Sequence, residues 1–357
     1  MAEMWDLYER VGDLEFVKTG QTIARGNRIP DDRFHRVVHV WLHNDNEYLI
    51  SQRSATKTDP LCWEPTGGSV LAGETSEEAA IREVKEELGL DLKPGSGSLR
   101  YRGVRSFDGC NDFVDVWLFE LPYKVIDNNL SLQKEEVNTA VSIRPAGIYF
   151  LRELGLWIPW RQFDYLDRMI GNRVTINDAN ENEWKEEIHD IKSAGISMGA
   201  EKRFDLENAF MQRAYEMTLQ GLEKWPEENI DDHDIRIAEA AVDLSFSLIN
   251  LGRYADAEER VNEALALLDA IYRRGNESTI LWRLQHAHFC KRRLMIRTGR
   301  KKEVLIEREI LNKLRAEPIL YKRGFRISSP RAAGAPKTSD LQCHAIISRN
   351  IVMRLAR

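Results

Sequence analysis

The sequence predicts an α/β domain, with a mixed sheet layered between helices, followed by an all-α domain of helical hairpins. Three observations carry this expectation. Runs rich in β-branched and aromatic residues, with two-residue alternation, recur between residues 36 and 143. One amphipathic stretch of helical period, 75–88, lies among them. From about Asn177 onward the strand signals stop, and long Ala-, Glu-, Leu- and Arg-rich stretches take over. Strands around a central helix suit a sheet sandwiched between helices. A chain of 357 residues is long enough for two domains.

Residues 36–42 (RVVHVWL) and Glu47–Arg53 (EYLISQR) read as strands around an Asn-Asp-Asn turn. Residues 113–121 (FVDVWLFEL) read as another strand and 99–106 as a weaker one. Val137–Ile143 is expected as an edge or closing strand and 160–170 as a closing helix. His35 and His39 alternate along the first strand and read as core or edge histidines rather than metal ligands. Trp63 either packs or stacks on a base; both readings stay open.

The 75–88 helix has Thr75 or Ser76 to cap it, Glu77 and Glu78 in its first turn and Gly89 to end it. At about 100° per residue, with Glu83 at zero, Glu87 lies near roughly 40° and Glu86 near roughly 300°, so three carboxylates share one face. Val84, Leu88 and Ile81 form the buried face, while Lys85 and Glu78 point to water. Clustered carboxylates repel one another unless a cation holds them. Hard oxygen ligands select Mg2+ or Mn2+ over Zn2+. Such a metal would bridge the carboxylates to a diphosphate and activate a water. Gly68 lets the backbone turn closely around the site. Arg82, at the edge of the acidic face, has a fork suited to orienting a glutamate.

The helix sits inside GSVLAGETSEEAAIREVKEELGL, residues 68–90, with fixed positions at Gly68, Glu74, Arg82, Glu83, Glu86, Glu87 and Gly89. Seven such positions coincide by chance on the order of once in 10^8 starting points. The stretch resembles the Nudix box at every fixed position. The resemblance implies an α/β/α Nudix fold over the first half and metal-dependent hydrolysis of a diphosphate. The implied ligands are Glu83, Glu86 and Glu87, with Glu86, Glu83 and Arg82 in the catalytic set. Glu135 and Glu136 stand where related proteins often carry another acid near the metal, and Glu136 is the candidate general base.

Residues 35–70 also resemble the Nudix branch related to isopentenyl-diphosphate isomerase. Arg53 and Lys57 match that branch's diphosphate-binding pair, one forked cation and one point-like cation. Gly67 and Gly68 complete the candidate substrate-binding set. The isomerase needs a cysteine and a metal-binding histidine where this chain has Gly67 and Val70, and Cys62 lies too far upstream. Hydrolysis is therefore expected over isomerisation. The expected substrate is a nucleoside diphosphate joined to a further group. A nucleotide-sensing module without turnover is the alternative from another class.

In the second half, 238–269 (AEAAVDLSFSLINLGRYADAEERVNEALALLD) resembles one tetratricopeptide repeat. Leu244, Leu248, Gly252, Tyr254, Ala257, Val261 and Ala264 fall at its packing positions, while Ser245 and Ala241 depart from it mildly. A lone repeat cannot bury its face, so helices are expected over 204–225, 280–298 and 304–314. The resemblance implies a groove for a peptide or partner protein, or a surface for self-association. The expected layout is a catalytic domain over 1–172, a linker over 173–198, helical hairpins over 199–316 and a tail over 317–357. The tail carries eight Lys/Arg against two Asp/Glu and is expected to be basic and partly disordered. It lacks aromatic interleaving, which argues against nucleic acid as a partner.

The chain is 43% hydrophobic with a net charge of −6, and no run approaches the ~20 apolar residues of a membrane span. MAEMWDLYER has no apolar signal core. Cys62, Cys110, Cys290 and Cys343 have no paired spacing for zinc and read as free thiols in a reducing cytoplasm.

Overall fold

The computed structural model describes residues 2–107, 110–123, 125, 130–159, 164–275 and 277–316. Its mixed sheet has seven strands: β3 (His35–Asn44), β4 (Glu47–Arg53), β5 (Trp63–Glu64), β6 (Thr66–Ser69), β7 (Gly97–Phe107), β8 (Cys110–Glu120) and β9 (Val137–Ile143). The order is β5-β4-β3-β8-β7, with β6 paired to β3 and β9 to β4. Strands β3 and β8 run parallel, and the other strand pairs named here are antiparallel. An N-terminal hairpin, β1 (Met4–Arg10) and β2 (Phe16–Ala24), forms its own small sheet. It is absent from the sequence expectation because β2 is mostly exposed and lacks a clean alternation.

Helix α1 (Ser76–Leu88) covers one face of the large sheet. Val84 and Leu88 bury against Val38, Val40 and Leu42. The other face, with Val37, Trp41, Val114 and Val116, packs under α2 (Pro145–Glu153) and α3 (Leu166–Ile170). The closing helix is therefore α2, earlier than the expected 160–170. Of that range, 164–170 holds the five-residue α3, and 160–163 lie outside the described residues. Trp63 is fully buried in this core, which settles it as a packing residue.

The helical half comprises α4 (Glu181–Ala200), α5 (Phe204–Lys224), α6 (Ile230–Leu251), α7 (Tyr254–Arg273), α8 (Glu277–Arg297) and α9 (Lys301–Ala316). Each packs against the next, and α6 also meets α8. Gly252 ends α6 in the left-handed region at φ 85°, where a side chain would be strained. Ala257, Val261 and Ala264 are fully buried at the α6–α7 seam. The buried Ser245 hydroxyl donates to Ala257 O at 2.7 Å, which accounts for a polar group at that packing position.

The expected linker over 173–198 is corrected in one respect: most of it is α4, a packed helix. Trp184, Ile188, Ile191, Ala194 and Met198 bury in the same core as the sheet and α2. The small residues of this stretch permit close contacts. A Cβ on Gly195 would lie 2.9 Å from Phe210 Cβ, and one on Gly147 would lie 2.8 Å from Ala194 Cβ. The described residues form one compact unit. The expected tail, 317–357, lies outside the described residues. No helix among the described residues is long and apolar enough to cross a membrane.

Candidate active site

Helix α1 is held at both ends. Thr75 caps its N-terminus in a reciprocal capping box with Glu78, and Gly89 closes it at φ 75°. The segment after β8 then docks on its last turn: Ser131 N donates to Leu88 O, and Gln133 N donates to Glu87 O. A Cβ on Gly89 would meet Ser131 Cβ at 2.6 Å, so glycine is required here for space as well as for φ. This docking brings Glu136 beside Glu87.

The carboxylates divide around two cations. Arg82 donates through Nε and Nη2 to the two oxygens of Glu74, at 2.8 and 3.1 Å, and through Nη1 to Glu83 at 2.9 Å and Glu86 at 3.0 Å. Its Nη2 also donates to Ser69 O at 2.9 Å. The fork thus ties the 69–74 turn to the helix, and burial is outweighed by its carboxylate partners, so its pKa is raised. Lys57 Nζ lies 2.5 Å from Glu136 and 3.7 Å from Glu87. Glu86 is half exposed, whereas Glu83 and Glu87 are largely buried. Of the acidic pair, Glu136 faces Lys57 and Glu135 is exposed.

Burial raises the carboxyls here. Glu83 is pushed up by burial, opposed by Arg82. Glu87 is pushed up to about 8 by burial, opposed by Lys57 and reinforced by Glu83, Glu64 and Glu136. Glu64 is likewise raised by burial against the pull of Arg53. Among the described residues no three His, Cys, Asp or Glu side chains converge on a metal-sized point as arranged. The donor set nonetheless fits a hard divalent cation. All its members are carboxylates, and buried Glu87 has Lys57 only at 3.7 Å to offset its charge.

Gly68 and Gly67 serve close approach. A Cβ on Gly68 would lie 2.2 Å from Glu83 Oε1, so glycine lets that carboxylate lie against the backbone. A Cβ on Gly67 would lie 2.2 Å from Val38 O, a contact within the sheet. Arg53 is engaged inside the protein: Nη1 donates to Glu64 at 2.7 Å, Nε to Thr58 O at 2.7 Å and Nη2 to Thr58 Oγ1 at 3.2 Å. Lys57 is the member of the expected basic pair that faces the box glutamates. Cys62 lies on the same loop, with its thiol pushed up by burial. His35 is buried and stacked on Trp5; His39 meets Tyr165 Oη at 2.7 Å, and burial lowers it to about 3.

Sequence reasoning missed Glu64. It sits four residues before Gly68 on a two-residue strand, too short for any periodicity to mark it. The available signal was an acid inside an otherwise apolar, glycine-bounded run.

A glycine turn, a carboxylate-bearing helix and a facing lysine bring together groups whose chemistry suits phosphate oxygens and a hard cation. A NUDIX domain model matches residues 33–162. Over 163 residues the chain is 36% identical to an uncharacterized Nudix hydrolase of Listeria monocytogenes, a match covering 44% of this chain and 89% of that protein. It is 32% identical over 146 residues to Nudix hydrolase 3 of Arabidopsis thaliana, covering 38% of this chain and 18% of that protein. A crystal structure of a Deinococcus radiodurans protein is similar over 47% of this chain and 97% of that chain, at 22% identity and a TM-score of 0.35. The chain belongs to the Nudix hydrolase family. It is therefore a hydrolase of diphosphate bonds, in a family that uses divalent metal ions.

Proposed function

We propose that the protein cleaves the diphosphate linkage of a nucleoside diphosphate joined to a further group, using Mg2+ or Mn2+. The observation that carries this reading is the carboxylate face of α1, where largely buried Glu83 lies against the Gly68 turn and buried Glu87 faces Lys57 at 3.7 Å. Carboxylates gathered in this way repel one another when ionised, and a hard divalent cation offsets that charge. Glu83, Glu86 and Glu87 would hold the metal, which when bound polarises the diphosphate and acidifies water.

The protein's own residues divide the remaining work. Arg82 keeps Glu83 and Glu86 oriented and anchors the turn at Glu74. Lys57 exchanges Glu136 and Glu87 for phosphate oxygens when substrate arrives. Glu136, released, accepts the proton of the attacking water as its oxygen bonds to phosphorus and the bond to the leaving phosphate breaks. Arg53 braces the loop that carries Lys57. The catalytic residues lie within 1–172, and the helices over 199–316, tetratricopeptide-like at α6–α7, offer a surface to a protein partner in the cytoplasm.

The test is a screen of the full chain with Mg2+ or Mn2+ against nucleoside triphosphates, nucleotide sugars, dinucleotides and isoprenoid diphosphates. Cleavage of a nucleoside diphosphate derivative that stops on chelation is expected. Tight nucleotide binding with no cleavage under any metal would replace this reading with that of a sensing module.

A further inference from the structure

The helical half reaches the Lys57 loop through a buried amide. Gln52, on β4 directly before Arg53, is 1% exposed. Its Oε1 accepts from Arg203 Nη1 at 2.7 Å and from Asn138 Nδ2 at 2.7 Å. Its Nε2 donates to Leu61 O at 2.9 Å. Arg203 belongs to the turn between α4 and α5, Leu61 to the loop that carries Lys57, and Asn138 to the strand that follows Glu136. The three segments that meet at Gln52 are thus the helical half and both chain segments that place the Lys57–Glu136 pair.

Two independent features mark this junction. The β4–β9 pairing steps from Arg53↔Val137 to Gln52↔Thr139, leaving Asn138 as an extra residue. Such a bulge re-aims a side chain, here onto Gln52. Among the described residues four non-glycines have positive φ, and three lie here: Asp59 at 49°, Leu61 at 61° and Lys202 at 60°. Left-handed backbone at a leucine and a lysine persists only where surrounding bonds over-determine it. The Gln52–Leu61 bond supplies one such tie on the loop side. On the other side, Thr139 Oγ1 donates to Glu201 Oε2 at 2.7 Å, which pins the α4–α5 turn to β9.

We propose that Arg203 is a positioning residue of the active site, fixing the Lys57 loop through Gln52, so that the helical half is part of the catalytic apparatus. The functional part rests on the reading that Lys57 and Glu136 handle the diphosphate; the positioning part does not. Removing the Arg203 donor leaves Gln52 Oε1 with Asn138 alone and loosens the amide that holds Leu61.

The test compares full-length Arg203→Met, which keeps an aliphatic stem, with Arg203→Lys, which keeps a donor and a charge. Amide hydrogen exchange of residues 54–62 reads the loop, and kcat/KM on any diphosphate the parent cleaves reads the site. Expected in Arg203→Met is about tenfold faster exchange, confined to 54–62 and 137–139, with protection kept in α1 and α6. A comparable fall in kcat/KM accompanies it, and Arg203→Lys recovers most of both. Unchanged exchange at 54–62 overturns the proposal. So does loss of protection throughout the chain with no excess at the loop, which would make Arg203 a stability residue only. A loosened loop with undiminished cleavage overturns its catalytic part. A parent that cleaves no diphosphate removes the proposed function instead, while the exchange result still decides the coupling.

Discussion

A methyl group added at Gly68 would stand 2.2 Å from Glu83 Oε1, so Gly68→Ala must move that carboxylate or the turn beneath it. We expect hydrolysis to fall by about 10²-fold, the usual result of misplacing a catalytic group by about 1 Å. Thermal unfolding should also shift downward, because Glu83 is largely buried and paired with Arg82. Glu87 supplies a pH signature. Its carboxyl is raised to about 8 in the folded chain, against about 4.3 when unfolded. The folded state therefore holds a proton that the unfolded state releases. The stability this contributes is present below about pH 4.3 and is lost as pH rises through about 8. Without divalent cation, the midpoint of thermal unfolding should decline from pH 5 to pH 8 in the parent more than in Glu87→Gln. Equal declines would show that Glu87 is already ionised. The box glutamates were legible because they sit on one amphipathic helix, where 100° spacing predicts who shares a face. Glu64 and Gln52 were not, because a buried polar group on a strand has meaning only through partners that come from distant segments.

At the scale of elements, α1 was read to its caps, and the strands β3, β4, β8 and β9 were read from their alternation. Helix α4 was not, since SAGISMGA shows few large apolar residues. Its helical use becomes visible only against α5, where a Cβ on Gly195 would lie 2.9 Å from Phe210 Cβ. Gly195→Ala raises intrinsic helix propensity, yet overpacking should dominate. We expect a net loss of about 1–3 kcal/mol, measured by denaturant unfolding of the full chain. A gain in stability would mean that α4 and α5 are not in close contact.

At the scale of the molecule, one hydrophobic core runs from the sheet through α2 into α4 and α5. The two halves that differ so clearly in composition therefore share their interior. A fragment of residues 1–172 would uncover Phe150, which packs edge-on against Phe210 of α5, and the Gly147 surface that α4 meets at Ala194. That fragment should aggregate or unfold at lower denaturant than the full chain, as read by unfolding monitored through tryptophan fluorescence. A fragment as stable as the parent would restore the two-domain layout with an idle linker. The enzymatic reading depends above all on Glu87. Its most direct test is the rate of phosphate-bond cleavage by Glu87→Gln relative to the parent, in saturating Mg2+ at pH 8, on the best substrate found. Loss of at least about 10²-fold with the fold intact is the predicted result. A rate within about threefold of the parent, less than a ~1 kcal/mol change in barrier, would contradict it.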